Sequence, residues 1–152
     1  MYMSSFLIPY YYDFNKIKTV NATAFNLPTI ASNVRLVIFA DYDLRIENAE
    51  KFTYKMSQMC QKLSIAITDF VILNYTFYPK CLPELSNTFP NVKAMILHGI
   101  DIEKELGRVS DKKIEKFLLG NIKTLAVPTI EQLEADKILF LQYWNDIKKM
   151  IA

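Results

Sequence analysis

The chain has 152 residues, of which 51% are hydrophobic, 13% aromatic and 22% charged, with a formal net charge of +2. That length suits one domain burying roughly 68–70% of its unfolded surface, and the composition excludes a largely disordered chain. So small a net charge creates no phosphate-attracting field, so tight direct binding of nucleic acid is not expected.

Residues 1–30 carry Phe6, Tyr10, Tyr11, Tyr12 and Phe14 without a period of 2 or 3.6, and Pro9 and Pro28 interrupt any long element. They read as an N-terminal aromatic arm preceding a single α/β domain at 31–152. The arm's aromatics either pack back on that domain or dock a partner, a use for which Tyr and Phe are well suited. Met1 to Pro9 has neither the basic region nor the apolar length of a secretory signal, and no stretch is a membrane span. A cytoplasmic location is the expectation. Cys60 and Cys81 have no companion at metal-ligand spacing and His98 is the only histidine, so reduced thiols are expected and no metal site or cofactor motif is signalled.

The organising stretch is Val34–Ala40, apolar at every position but Arg35 and running into Asp41 and Asp43. A short run of this kind, rich in β-branched and aromatic residues, is a strand buried on both faces. Asn48 is a candidate N-cap for a helix to about Leu63, whose Phe52, Met56, Met59, Cys60 and Leu63 share one face. Phe70–Tyr75 is the next strand. A strand, a helix and a strand in so few residues predict a parallel right-handed crossover. Pro79, Pro83 and Pro90 leave space for only a short helix at Glu84–Phe89, and Val92–His98 is the third strand, closed by Gly99. Ile102–Leu106 reads as a brief helical turn ended at Gly107.

Between Arg108 and Lys123 lie five cations against two acids, the most basic stretch of the chain, but Phe117 is its one aromatic residue, which is not the aromatic interleaving that suits stacked bases. Ile114–Leu119 and Ile122–Val127 read as two extended pieces about a Gly120-Asn121 turn, the second a core strand and the first an extra edge strand. Thr129 and Gln132 have capping-box spacing, so a helix starts there. It runs to 151, with a bend or restart at Asp136, and Ile138, Leu141, Trp144, Ile147 and Ile151 form its apolar stripe. Trp144 either anchors this helix to the sheet or meets a partner. The expected fold is thus α/β, on a small, mostly parallel four-stranded sheet with that one extra edge strand.

Several of these pieces together resemble the psi accessory subunit of bacterial DNA polymerase III. They are Asn33-Val34-Arg35-Leu36-Val37 with Asp41-Tyr42-Asp43, the helix ending in Leu63, Thr68-Asp69-Phe70-Val71-Ile72-Leu73, and Val127 through Leu133 and Asp136 to Leu141-Gln142-Tyr143-Trp144-Asn145-Asp146-Ile147. The resemblance implies a three-layer α/β/α sandwich similar to the uracil-DNA glycosylase fold, without catalytic activity. It also implies a bridge from clamp-loader subunits, through the arm, to a chi-like companion. Partner-binding residues on this view are Phe6, Tyr10, Tyr11, Tyr12, Phe14 and Trp144.

The rival class is a base-processing enzyme. A parallel sheet would gather Asp41, Asp43, Asn74 and His98 at the carboxyl ends of three strands, where α/β proteins place their ligands. Against it, Asp41-Tyr42-Asp43-Leu44-Arg45 stands where uracil-DNA glycosylases have a glycine-rich water-positioning loop, and no proline follows His98. Asp41 and Asn74 can equally cap loops or helices, with His98 hydrogen-bonded locally.

Overall fold

A computed structural model describes residues 31–40, 46–74, 89–107 and 112–151. After a 3-10 turn at Ala31–Asn33 the elements are β1 (Leu36–Ala40), α1 (Ile46–Lys62), β2 (Phe70–Asn74), β3 (Ala94–His98), α2 (Ile102–Leu106), β4 (Glu115–Leu119), β5 (Ile122–Val127), α3 (Ile130–Glu134) and α4 (Lys137–Ile151). The strands form one sheet in the order β2-β1-β3-β5-β4. The first four neighbours are parallel, and β4 is antiparallel to β5. The sheet therefore has five strands and is mixed, not four-stranded. The fifth is the edge strand expected at Ile114–Leu119, and Gly120, with φ of 61°, makes the left-handed turn joining it to β5.

The run that reads as Val34–Ala40 begins its regular ladder only at Leu36 because the preceding carbonyls are shared. Asp69 O accepts from both Arg35 N (2.7 Å) and Leu36 N (3.2 Å). In the same way Arg35 O accepts from Lys93 N and Ala94 N, which moves the start of the third strand from Val92 to Ala94.

Period-2 alternation divides the apolar strands between two cores. Val37, Phe39, Val71, Leu73, Met95 and Leu97 face one side, where Phe89, Val92 and Ile102 of α2 close over them. Leu36, Ile38, Ala40, Phe70, Ile72 and Ile96 face the other, against Phe52, Met56, Met59 and Cys60 of α1, Leu133 of α3, and Tyr143 and Ile147 of α4. Burial on both faces is why these strands read as continuous apolar runs.

The helix ends follow local chemistry. α1 already begins at Ile46, so Asn48 lies inside its first turn and is not the N-cap. Its carboxyl end is a Schellman motif, with Ile65 N donating to Cys60 O (2.8 Å) and Ser64 N to Gln61 O (3.0 Å). Ser64 holds the left-handed position at φ 61°. In α2, Asp101 Oδ1 accepts from Glu103 N and Lys104 N, and Gly107 (φ 67°) ends the helix. The capping box of α3 is complete, Gln132 N donating to Thr129 Oγ1 and Thr129 N to Gln132 Oε1. Asp136 restarts the chain as α4 by accepting from Ile138 N and Leu139 N, both at 3.1 Å.

The inward face of α4 differs from the expected stripe. Ile138 is 83% exposed and Leu141 61% exposed, while Tyr143 and Ile147 are buried and Leu139, Phe140, Trp144, Met150 and Ile151 are partly so. Four consecutive apolar residues, Ile138 to Leu141, let the first turn bury either of two faces by period alone. The restart at Asp136 and the docking of Tyr143 select the Leu139–Phe140 side.

Candidate functional site

The parallel register brings the expected strand ends together. Ala40 stands opposite Asn74 on one side and His98 on the other, at the carboxyl ends of three adjacent strands. The chain leaves β1 for β2 and returns to the other side of β1 as β3, so β1 and β3 flank the topological switch point where α/β sheets bind ligands. Asp41 and Asp43, which follow β1, lie outside the described residues, as does the side chain of Asn74.

His98 is fully buried. Its register with Ala40 turns the imidazole toward α1 and α4, into the core on that face. Nδ1 lies 3.3 Å from Phe39 O and Nε2 lies 2.8 Å from Tyr143 Oη. A carbonyl only accepts, so Nδ1–H donates to Phe39 and the tyrosine hydroxyl donates to Nε2. These bonds span 59 and 45 positions of the chain. The local bonding expected of a strand-end histidine is replaced by a long-range tie from β3 to β1 and α4. Phe52 meets the imidazole edge-on at 5.3 Å between centroids and Tyr143 at 5.6 Å. The sulfurs of Met59 (3.5 Å) and Met56 (3.9 Å) complete the surroundings of the tyrosine hydroxyl.

Burial in this apolar shell pushes the imidazole pKa down to about 4, against a smaller raising effect of the Phe39 carbonyl. At neutral pH His98 is therefore neutral, with both nitrogens occupied. Its chemistry is that of a core hydrogen-bond node joining three elements.

Nearby at the carboxyl ends of β3 and β5 is an open hollow of about 380 Å³. His98 is not among its walls. They interleave Asp101, Glu103 and Glu115 with Lys112 and Lys113, and the Asp101 carboxylate already caps α2. Cys60 is a buried free thiol, its pKa pushed up to about 12 by burial, which leaves almost no thiolate nucleophile at neutral pH. Among the described residues no group of three or more His, Cys, Asp or Glu could hold a metal ion.

Of the partner-binding residues, Phe6, Tyr10, Tyr11, Tyr12 and Phe14 lie outside the described residues. Trp144 is half-buried against the core of α1 and α4, with Lys148 Nζ 6.0 Å from its ring centroid. The basic segment is in part the β4–β5 hairpin, with Lys112, Lys113, Lys116 and Lys123 exposed. One residue that sequence reasoning passed over is Asp146. Its side chain is only 8% exposed; Lys116 Nζ stands 3.4 Å from Oδ1, and Oδ2 has no hydrogen-bond partner among the described residues. The available signal was an aspartate sandwiched between the inward positions Tyr143 and Ile147 of an amphipathic helix.

No protein-family model and no curated protein matches the chain. Among the described residues no helix is long and apolar enough to cross a membrane.

Proposed function

We propose that this chain is a non-catalytic accessory subunit resembling the psi subunit of bacterial DNA polymerase III, joining clamp-loader subunits to other replication proteins in the cytoplasm. The observation that carries the reading is the outer face of α4, where Ile138 and Leu141, one turn apart, are 83% and 61% exposed. Apolar side chains clustered on the outside of a helix mark a surface for another protein. The state of His98, neutral and engaged by Phe39 and Tyr143, also supports a role without catalysis at the strand ends. Separate cores on the two faces of the sheet support a three-layer α/β/α sandwich of the kind the psi resemblance implies. In this reading the aromatic arm, residues 1–30, binds the clamp loader. The outer face of α4, next to Trp144, receives a chi-like companion.

Affinity purification of the tagged full chain, of a form lacking residues 1–30 and of an Ile138→Asp/Leu141→Asp variant tests both contacts. Clamp-loader subunits are expected with the full chain and lost without the arm, whereas the helix variant loses only the companion. Recovery of no replication protein by any of the three overturns the proposal. The purified protein is expected to release no free base from uracil-containing or mismatched oligonucleotides. Robust release that disappears in Asp41→Ala would instead establish the enzyme reading.

A further inference from the structure

At the opposite end of the sheet, the starts of β1, β3 and β5 and the last turn of α4 surround a cleft of about 670 Å³, within the range of ligand-binding clefts. Arg35, Lys93, Lys123 and Lys148 line it, and among the described residues no aspartate or glutamate does. Arg35 is held from outside the cleft by Asp69 at 2.9 Å, and Lys148 reaches toward the Trp144 ring. Lys93 and Lys123 are exposed, and neither side chain has a hydrogen-bond or ion-pair partner among the described residues. The backbone aligns these cations. Lys93 N donates to Arg35 O (2.9 Å) and Lys123 N to Lys93 O (3.0 Å), which gathers the three at the starts of neighbouring strands, Lys123 standing one position further along, in register with Ala94. Like charges on neighbouring strands repel, and ligand anions relieve that repulsion. Between the cations the surface is aliphatic, formed by Leu36, Leu63, Ile65, Ala94, Met150 and Ile151.

We infer that this cleft is a docking site for an extended peptide segment that alternates acidic and aliphatic side chains, supplied by a partner protein. The carboxylates meet Arg35, Lys93 and Lys123, and the aliphatic side chains lie on the surface between α1 and α4. Two features select a peptide over other anions. Among the described residues no aromatic side chain lines the walls on which a nucleic-acid base could stack. The cations are spread over the starts of three strands instead of converging on one point, as a compact phosphate requires. The inference stands on the amino-end cleft alone and is independent of the accessory-subunit reading.

The test is fluorescence anisotropy of the full chain with a labelled hexapeptide of alternating aspartate and leucine. A matching peptide with asparagine for aspartate and an oligothymidylate of equal charge serve as comparators. The acidic peptide is expected to bind more tightly than either comparator, and to weaken as salt rises to about 0.3 M. A Lys93→Glu/Lys123→Glu variant with an unchanged thermal melt is expected to lose roughly tenfold or more in affinity, and Lys93→Arg/Lys123→Arg to retain it. Absence of binding at millimolar protein, equal binding of the asparagine peptide, or indifference to the double glutamate variant each overturns the inference. Tighter binding of the oligothymidylate would make the cleft a nucleic-acid groove instead.

Discussion

The two ends of this sheet handle polar groups in opposite ways. At the carboxyl end a histidine has been carried into the core and given two partners, Phe39 O and Tyr143 Oη, with thioethers and a phenyl ring closing the remaining space. At the amino end Lys93 and Lys123 project from adjacent strands into solvent beside an aliphatic surface. Both α1 and α4 run from the first end to the second, so helix starts cluster at one and helix carboxyl ends at the other. Polar groups at the carboxyl end hold the fold together, and those at the amino end are available to another molecule. A desolvated polar group must be satisfied internally, whereas a solvated charge contributes little to folding.

The largest effect that could break this contrast is at Tyr143. Truncation by Tyr143→Ala removes one of the largest fully buried side chains and is expected to cost about 3–5 kcal/mol in urea denaturation. Tyr143→Phe keeps the ring but strips Nε2 of its donor, for about 1–3 kcal/mol. If Tyr143→Phe were neutral, the tyrosine hydroxyl would not be what holds the histidine.

Next in size is a pH dependence. Between pH 6.5 and about 4 the unfolded chain protonates His98 while the folded chain keeps it neutral. Stability is thus fully present above pH 6.5 and is lost as pH falls toward 4, by on the order of 3 kcal/mol. Chemical denaturation across this window should show that loss, and a His98→Gln variant should have a flatter slope.

Smaller effects belong to the helix ends. Asp136→Ala removes the acceptor for two amides at the start of α4 and should cost about 1 kcal/mol. At the amino end Ser64→Gly relieves a left-handed serine and should stabilise by about 0.5–1 kcal/mol, read as a raised melting temperature. Smallest of all, Lys93→Glu with Lys123→Glu should leave stability within about 0.5 kcal/mol. A large loss there would sharpen the comparison in the other direction, assigning those lysines to the fold.

Local chemistry made much of the architecture legible. Apolar runs at Val34–Ala40, Phe70–Tyr75 and Val92–His98 read as strands buried on two faces, and the capping box at Thr129, the restart at Asp136 and the stops at Gly107 and Gly120 depend on neighbours in sequence. Parallel pairing of β1 with β2 followed from the intervening helix. Long-range geometry decided the rest. Whether Ile138 or Leu139 turns inward on α4 rests on where Tyr143 docks, since period alone allows both. The sequence placed His98 at a strand end, but a side chain is catalytic or structural according to what surrounds it, and its partners arrive from 45 and 59 positions away. Nor could spacing reveal that Arg35, Lys93 and Lys123, scattered along the chain, meet at the starts of three neighbouring strands, because only the strand order brings them together.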